Sequence, residues 1–296
     1  MLVTEQKRNV ALLILLALVW SSSFSAIKLA VVETGPVTLV GLRTFIGFFV
    51  VLIFIQFQSD FAWRPYLHHL PYLFVMSVVG MSLPFYLISD AELVLDSSLT
   101  GLLMSVGPLL TIIGAHFFAE GERMSASKVI GVLIGLLGVV ILFGHAAMNA
   151  GGTHIIPQIL VCFATGCYVA AALMARRLPQ VPALFIAVVI MAFVTIQMLP
   201  LAFLFEQPIA WRGWSSDAWL AILWLGALPT GFAFFLRYHL IKRAGAGFTS
   251  FIGYLIPVFS VFLGALLLGE SLGMDKFIAL GLILAGLAVA QRKPQN

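Results

Sequence analysis

Ten apolar runs, each about as long as a bilayer is thick, follow one another along this chain with only short interruptions. They lie at 10–30, 36–57, 69–89, 97–118, 127–145, 155–175, 182–205, 218–240, 247–268 and 274–291. A helix needs about 20 mostly apolar residues to cross a hydrocarbon core of roughly 30 Å. Ten such runs use about 200 of the 296 residues, so loops and tails average only about nine each. No room remains for a soluble domain. Only 9% of the residues are charged, against roughly 25% in a soluble protein, too few to cover a water-facing surface. A cytosolic enzyme, a disordered chain and a nucleic-acid-binding domain are all excluded. The expected partners are the lipid bilayer and a small-molecule substrate. Lys7 and Arg8 ahead of the first run imitate a secretory signal, but that run continues through Trp20 to Ala30 and reads as a first span. Cys162 and Cys167 share one apolar run and offer neither a disulfide framework nor a metal spacing. No metal and no cofactor is expected.

Short loops fix orientation through their Lys/Arg bias. With the N-terminus cytoplasmic, that side holds Lys7, Arg8, Arg64, Arg123, Lys128, Arg176, Arg177, Lys242, Arg243, Arg292 and Lys293. The other side holds Arg212 and Lys276, with Lys28 near that end of the first span. Eleven against three places both termini in the cytoplasm, as an even span count requires.

The two halves echo each other. Thr100 and Pro108 match Thr249 and Pro257 at an offset of 149, and Glu122, Lys128 and Gly138 match Glu270, Lys276 and Gly286 at 148. Pro36 and Pro182 open the second helix of each half. Five helices per half is an odd number, so the halves insert in opposite senses. The expected fold is therefore an all-α integral membrane protein of ten transmembrane helices, in two inverted five-helix repeats (1–148 and 149–296), an architecture found in many secondary transporters.

The run Trp20-(7)-Lys28-(7)-Pro36-(6)-Arg43, the helices carrying Pro108 and Pro257, and the turns Gly121-Glu122 and Gly269-Glu270 resemble the EamA branch of the drug/metabolite transporter superfamily. The resemblance covers nearly the whole chain. It implies a ten-helix carrier moving a small metabolite across the bacterial inner membrane, most often outward, and is strongest to amino-acid exporters, including the aromatic amino acid group. Val189 stands where Arg43 would repeat, so Arg43 has no symmetric partner.

A carrier needs polar or aromatic contacts at mid-membrane and helices that can bend. Trp20, Ser21, Ser22, Ser23, Phe24 and Ser25 cluster in the first span, where anchoring alone would favour Leu and Ile. Trp20 and Phe24 share a face, and Ser21 with Ser25 forms a small-xxx-small pair. The cluster is either a cavity wall, with Trp20, Ser23 and Phe24 presented to substrate, or a close helix contact. Tyr168 lies at nearly the same depth in the sixth span; Tyr86 and Tyr254 are further lining candidates, because a buried phenol needs a partner. Pro84, Pro108, Pro229 and Pro257 fall at corresponding places in spans three, four, eight and nine, softened by Gly80, Gly107 and Gly226. Each removes one helix hydrogen bond, making either a hinge or a static kink. Glycines in span five (Gly131, Gly135, Gly138) and span ten (Gly281, Gly286) predict close helix contact, within a monomer or across a homodimer.

Intramembrane charge is costly and points to function. Arg43, about 10 Å inside span two, would bind a carboxylate, neutralise carbonyls at a helix break or serve as a hydrogen-bond hub. Arg237 and Lys28 are expected to snorkel, and His116 is expected to be a titrating or a satisfied neutral histidine. Asp90, Glu92 and Asp96 read as a solvated acidic loop, with binding of cations or protons as the alternative. The small multidrug exporters of the same superfamily place a glutamate inside their first helix; here Glu33 falls at the mouth. Antiport built on that glutamate is unsupported. Catalysis is not expected: neither Gly-x-Ser-x-Gly nor His-Glu-x-x-His occurs. The sequence thus points to an exporter of small metabolites, amino acids foremost, working by alternating access, with efflux of drugs or purine-like compounds as the alternative.

Overall fold

Lipid offers no hydrogen bonds, so a spanning backbone must satisfy its own N–H and C=O groups, and helices do so within one segment. The computed structural model describes residues 2–57, 63–118, 125–149, 154–206 and 213–290, and these are overwhelmingly helical. The helices are α1 (Leu2–Thr34), α2 (Pro36–Gln56), α3 (Leu70–Ser77), α4 (Leu83–Ala91), α5 (Ser97–Met104), α6 (Gly107–Phe118), α7 (Ala126–Asn149), α8 (Ile155–Ala175), α9 (Ala183–Phe205), α10 (Ser216–Leu225), α11 (Ala233–Thr249), α12 (Ile252–Leu268) and α13 (Met274–Ala290). All ten apolar runs hold helix. Among the described residues eight helical stretches are long and apolar enough to cross a membrane. Runs nine and ten hold helices of 17 residues each, about 25 Å long, and fall just short of that criterion. The chain is a multi-pass membrane protein.

The packing is reciprocal between the halves. α1 lies on α10, α11 and α12, while α8, its counterpart, lies on α4, α5 and α6. α2 packs on α9, α5 on α12, and α7 on α13. The α7–α13 contact uses the glycines: a Cβ on Gly286 would sit 2.5 Å from the Gly131 carbonyl oxygen and 2.6 Å from the Gly135 nitrogen. Those glycine faces are thus taken up inside the chain. Gly281 differs, with no atom within 4 Å of such a Cβ.

Helix breaks fall at three of the four prolines. A π segment, Val78–Ser82, separates α3 from α4 just ahead of Pro84, and a second, Gly226–Phe232, contains Pro229 and separates α10 from α11. The two begin 148 positions apart, matching the offset between the halves. Pro108 opens α6 after a turn at Ser105 and Val106. Pro257 behaves differently. It lies inside a continuous α12, whose start is displaced to Ile252, beyond a non-helical Gly245.

Where the chain was expected to carry solvated acids at one end, it instead ties its helices together. The Glu206 carboxylate at the end of α9 accepts from the Val37 and Thr38 N–H groups at 2.9 and 2.7 Å, capping α2. Glu270, after α12, accepts from the Ser97 and Ser98 N–H groups at 2.7 and 2.9 Å, capping α5. Glu33, ending α1, accepts from the Ser215 N–H and hydroxyl, both at 2.6 Å, just before α10. Each carboxylate comes from one half and meets a helix start in the other, where orphan N–H groups and the helix dipole favour negative charge. Gly35 and Gly269 make the turns possible, with φ of 81° and 66° in the left-handed region. The Gly269-Glu270 turn is therefore a helix stop joined to a cap; Gly121-Glu122 lies outside the described residues.

Lys28 and Asp96 also depart from expectation. Lys28 does not snorkel: its Nζ donates to the main-chain oxygens of Glu92 and Leu95 at 2.7 and 2.9 Å. Asp96 accepts from Lys276 Nζ at 2.9 Å, which also donates to the Ser98 hydroxyl. We call this the acidic end of the bundle. Glu270→Ala removes both acceptors from the start of α5 and is expected to cost about 1–2 kcal/mol, with Glu270→Gln intermediate. Thermal unfolding in detergent measures both.

Candidate functional site

Trp20, Arg43 and Pro229 converge on the second π segment. From α1, Trp20 donates its indole N–H to the Pro229 carbonyl at 3.1 Å. From α2, Arg43 Nε donates to the Thr230 hydroxyl at 3.1 Å. The guanidinium is buried, 4% exposed, and lies over the Phe85 ring, Cζ 4.0 Å from its centroid. Phe85 in α4 meets Tyr168 of α8 edge-on, centroids 6.3 Å apart at 69°. On its other side Trp20 carries the Arg237 guanidinium, 5.8 Å from its ring. Aromatic faces attract a desolvated cation such as Arg43 by about 2 kcal/mol, and less at the exposed Arg237. Rings and cations drawn from both halves thus meet at Pro229 and Thr230, Tyr168, Phe85 and Arg43 on the Thr230 side and Trp20 and Arg237 on the Pro229 side. Among the described residues Arg43 has no ion-pair partner. It is a fixed positive charge between aromatic walls, beside a helix break.

The other predicted residues are spread around these contacts. Tyr86 and Tyr168 both pack against the cluster of Ala26, Leu39, Leu87 and Ile222. The Ser23 hydroxyl turns back to the Trp20 carbonyl within α1, and Ser21 donates to the Ile256 carbonyl of α12 at 3.0 Å. Phe24 is buried against Gly101 in α5. Tyr254 packs in the separate cluster of Val106, Leu109 and Val261; its hydroxyl is buried without a partner among the described residues. His116 is exposed at the end of α6, its ring 5.0 Å from Phe117. Gly80 lies in the first π segment, where a Cβ would come 2.7 Å from that of Ala171 in α8.

Gln197 was missed by the sequence reading. From α9 its Nε2 donates to Ser77 at 2.8 Å, and its Oε1 accepts from Ser82 at 2.6 Å, bridging the first π segment. It does for that segment what Arg43 does for the second, although Val189 stands at the aligned position. The available signal was an amide in a run, 183–205, whose one other polar side chain is Thr195, since a polar side chain in lipid must find a partner.

A helical bundle that ties its helices together through polar contacts, breaks its helices at paired places and holds a buried cation among rings has the makings of a membrane carrier. The chain belongs to the EamA-like transporter family, whose model matches it twice, over residues 7–144 and 155–291. It is 26% identical to an uncharacterized transporter of Archaeoglobus fulgidus, over 93% of this chain and 95% of that one. It is 31% identical to the aromatic amino acid exporter YddG of Ancylobacter novellus, over 64% of this chain and 65% of that one. A crystal structure superposes with a TM-score of 0.64 at 24% identity, covering 94% of this chain and 96% of the other, and shares the fold. The protein is a multi-pass membrane transporter.

Proposed function

We propose that the protein exports small zwitterionic metabolites, neutral or aromatic amino acids first among them, across the bacterial inner membrane by alternating access. The buried guanidinium of Arg43 without an ion-pair partner, set between Phe85 and the Trp20 region, is the observation that carries this reading. A substrate carboxylate matches that charge, and an apolar or aromatic side chain matches the rings. Efflux of drugs or purine-like compounds would use the rings but leave the cation without a role.

Ten spans in two inverted repeats remain the reading best supported by the reciprocal packing, the two π segments at one offset and the double family match. Lys/Arg bias puts the acidic end outside. The paired π segments supply the places where helices could bend, with Pro84, Pro108 and Pro229 as the hinges.

Flux of labelled amino acids into proteoliposomes is the test. Saturable flux of phenylalanine or a relative supports the reading; no saturable flux of any amino acid, with nucleobases or drugs moving instead, would sink it. Trp20→Ala is expected to raise the half-saturating concentration roughly tenfold, equivalent to about 1.4 kcal/mol. Trp20→Phe keeps the ring but not the bond to Pro229, and should fall between.

A further inference from the structure

Glu92 lies in the connection between α4 and α5 and is 0% exposed. Neither of its carboxylate oxygens has a hydrogen-bond partner among the described residues. The charges around it are engaged elsewhere. Lys28 on α1 gives its hydrogen bonds to main-chain oxygens, not to the Glu92 carboxylate. Arg43 on α2 is held by Thr230 and Phe85. Glu270, from the turn after α12, caps α5 and contributes a like charge. Asp96 is paired with Lys276 from α13. Among the described residues the hydroxyls of Ser25, Ser89 and Ser97 are likewise buried without partners, Ser25 one turn from Lys28 and Ser89 one turn from Glu92.

An ionised carboxylate removed from water without hydrogen bonds is very costly, whereas the neutral acid is not. Burial holds the Glu92 carboxyl well above the ordinary carboxylate range. Lys28 pulls it back most strongly, Glu270 pushes it further up, and Arg43 pulls more weakly. A bound metal cation would have to sit beside the Lys28 ammonium, whereas a proton leaves the site neutral.

We propose that Glu92 is a proton-binding site of the carrier, loaded while the acidic end is tied together and discharged when that end opens. On opening, the carboxylic O–H bond breaks, the proton passes to water and the electron pair stays on the carboxylate, which is then hydrated beside Lys28. Closing reverses the step. The closed arrangement therefore binds the proton more tightly, so it is favoured as pH falls and loses that advantage as pH rises through the raised value. The coupling to flux rests on the transport reading above; the proton site itself does not.

Infrared difference spectra of the full chain in lipid vesicles, recorded across pH without substrate, read the site directly. The expected result is a carboxylic-acid C=O band that persists above the ordinary carboxylate range and is missing from Glu92→Gln. Glu92→Asp should restore a band at a shifted position, which guards against a Gln variant that misfolds. A band lost in the ordinary carboxylate range, or spectra indifferent to both substitutions, overturns the proposal. In proteoliposomes with equal pH on both sides, exchange of labelled phenylalanine should change with pH in the wild type as the band titrates. Glu92→Gln should exchange without that pH dependence. Wild-type exchange indifferent to pH across the titration overturns the coupling. Because the band is read without substrate, absence of all amino-acid flux would defeat the substrate reading and leave the band to decide on the proton site.

Discussion

Arg43→Gln is expected to lower the apparent affinity for carboxylate-bearing substrates by about tenfold to a hundredfold, while the protein still folds and inserts. A hydrogen bond to a charged group is worth about 1.5–3 kcal/mol, and each 1.4 kcal/mol is a factor of ten. The side chain has a second role, because its Nε bond to Thr230 ties α2 to the π segment. Thr230→Val separates the two roles by removing the tie and keeping the charge. If the guanidinium binds substrate, Thr230→Val costs stability but much less affinity than Arg43→Gln. Equal losses in both variants would make Arg43 a strut only. Arg43→Lys keeps a point charge, but loses the planar fork that can hold Thr230 and a carboxylate together. It should recover only part of the flux. Concentration dependence of labelled phenylalanine uptake in the three variants, with thermal unfolding alongside, decides the matter.

The helices were legible because lipid leaves one local solution, and a run of apolar residues declares it without reference to the rest of the chain. Breaks at Pro84, Pro108 and Pro229 were legible for the same reason: a missing N–H acts where it stands. Pro257 shows the limit. Its ring sits within an unbroken α12, and the chain departs from helix earlier, at Gly245. Trp20 and Arg43 were singled out by residue type and depth, but their meeting at Pro229 and Thr230 spans about 200 positions and belongs to tertiary packing. The acidic end was misread on similar grounds. Asp90, Glu92 and Asp96 have no basic neighbour in sequence, yet Lys28 and Lys276 arrive from 64 and 180 positions away. Local composition could not distinguish the two half-buried members of that group from the fully buried one.

The largest effect on stability is expected where two backbones touch. Between helices in lipid there is little hydrophobic driving force, so close packing of small residues holds them together. Gly286→Ala places a methyl carbon 2.5 Å from the Gly131 carbonyl oxygen, 2.6 Å from the Gly135 nitrogen and 2.9 Å from the Gly135 Cα. All three neighbours are backbone, so no side chain can rotate away and α13 must move off α7. Overpacking of this kind costs about 1–3 kcal/mol or more, and the wider gap also forfeits dispersion along the contact. Gly281→Ala, on the same helix with no atom within 4 Å of the added carbon, is the matched control and should leave unfolding unchanged or slightly delayed, since alanine is the better helix former. The rate of thermal inactivation in detergent compares the two, and similar rates would show that the helices are not in backbone contact. Gly131→Ala should resemble Gly286→Ala, because its own Cβ meets the Gly286 carbonyl oxygen and Ala290. The double variant should fall short of the sum of the singles. Once one methyl has parted the helices, the second finds space already made, and a coupling of that sign is what a shared contact produces.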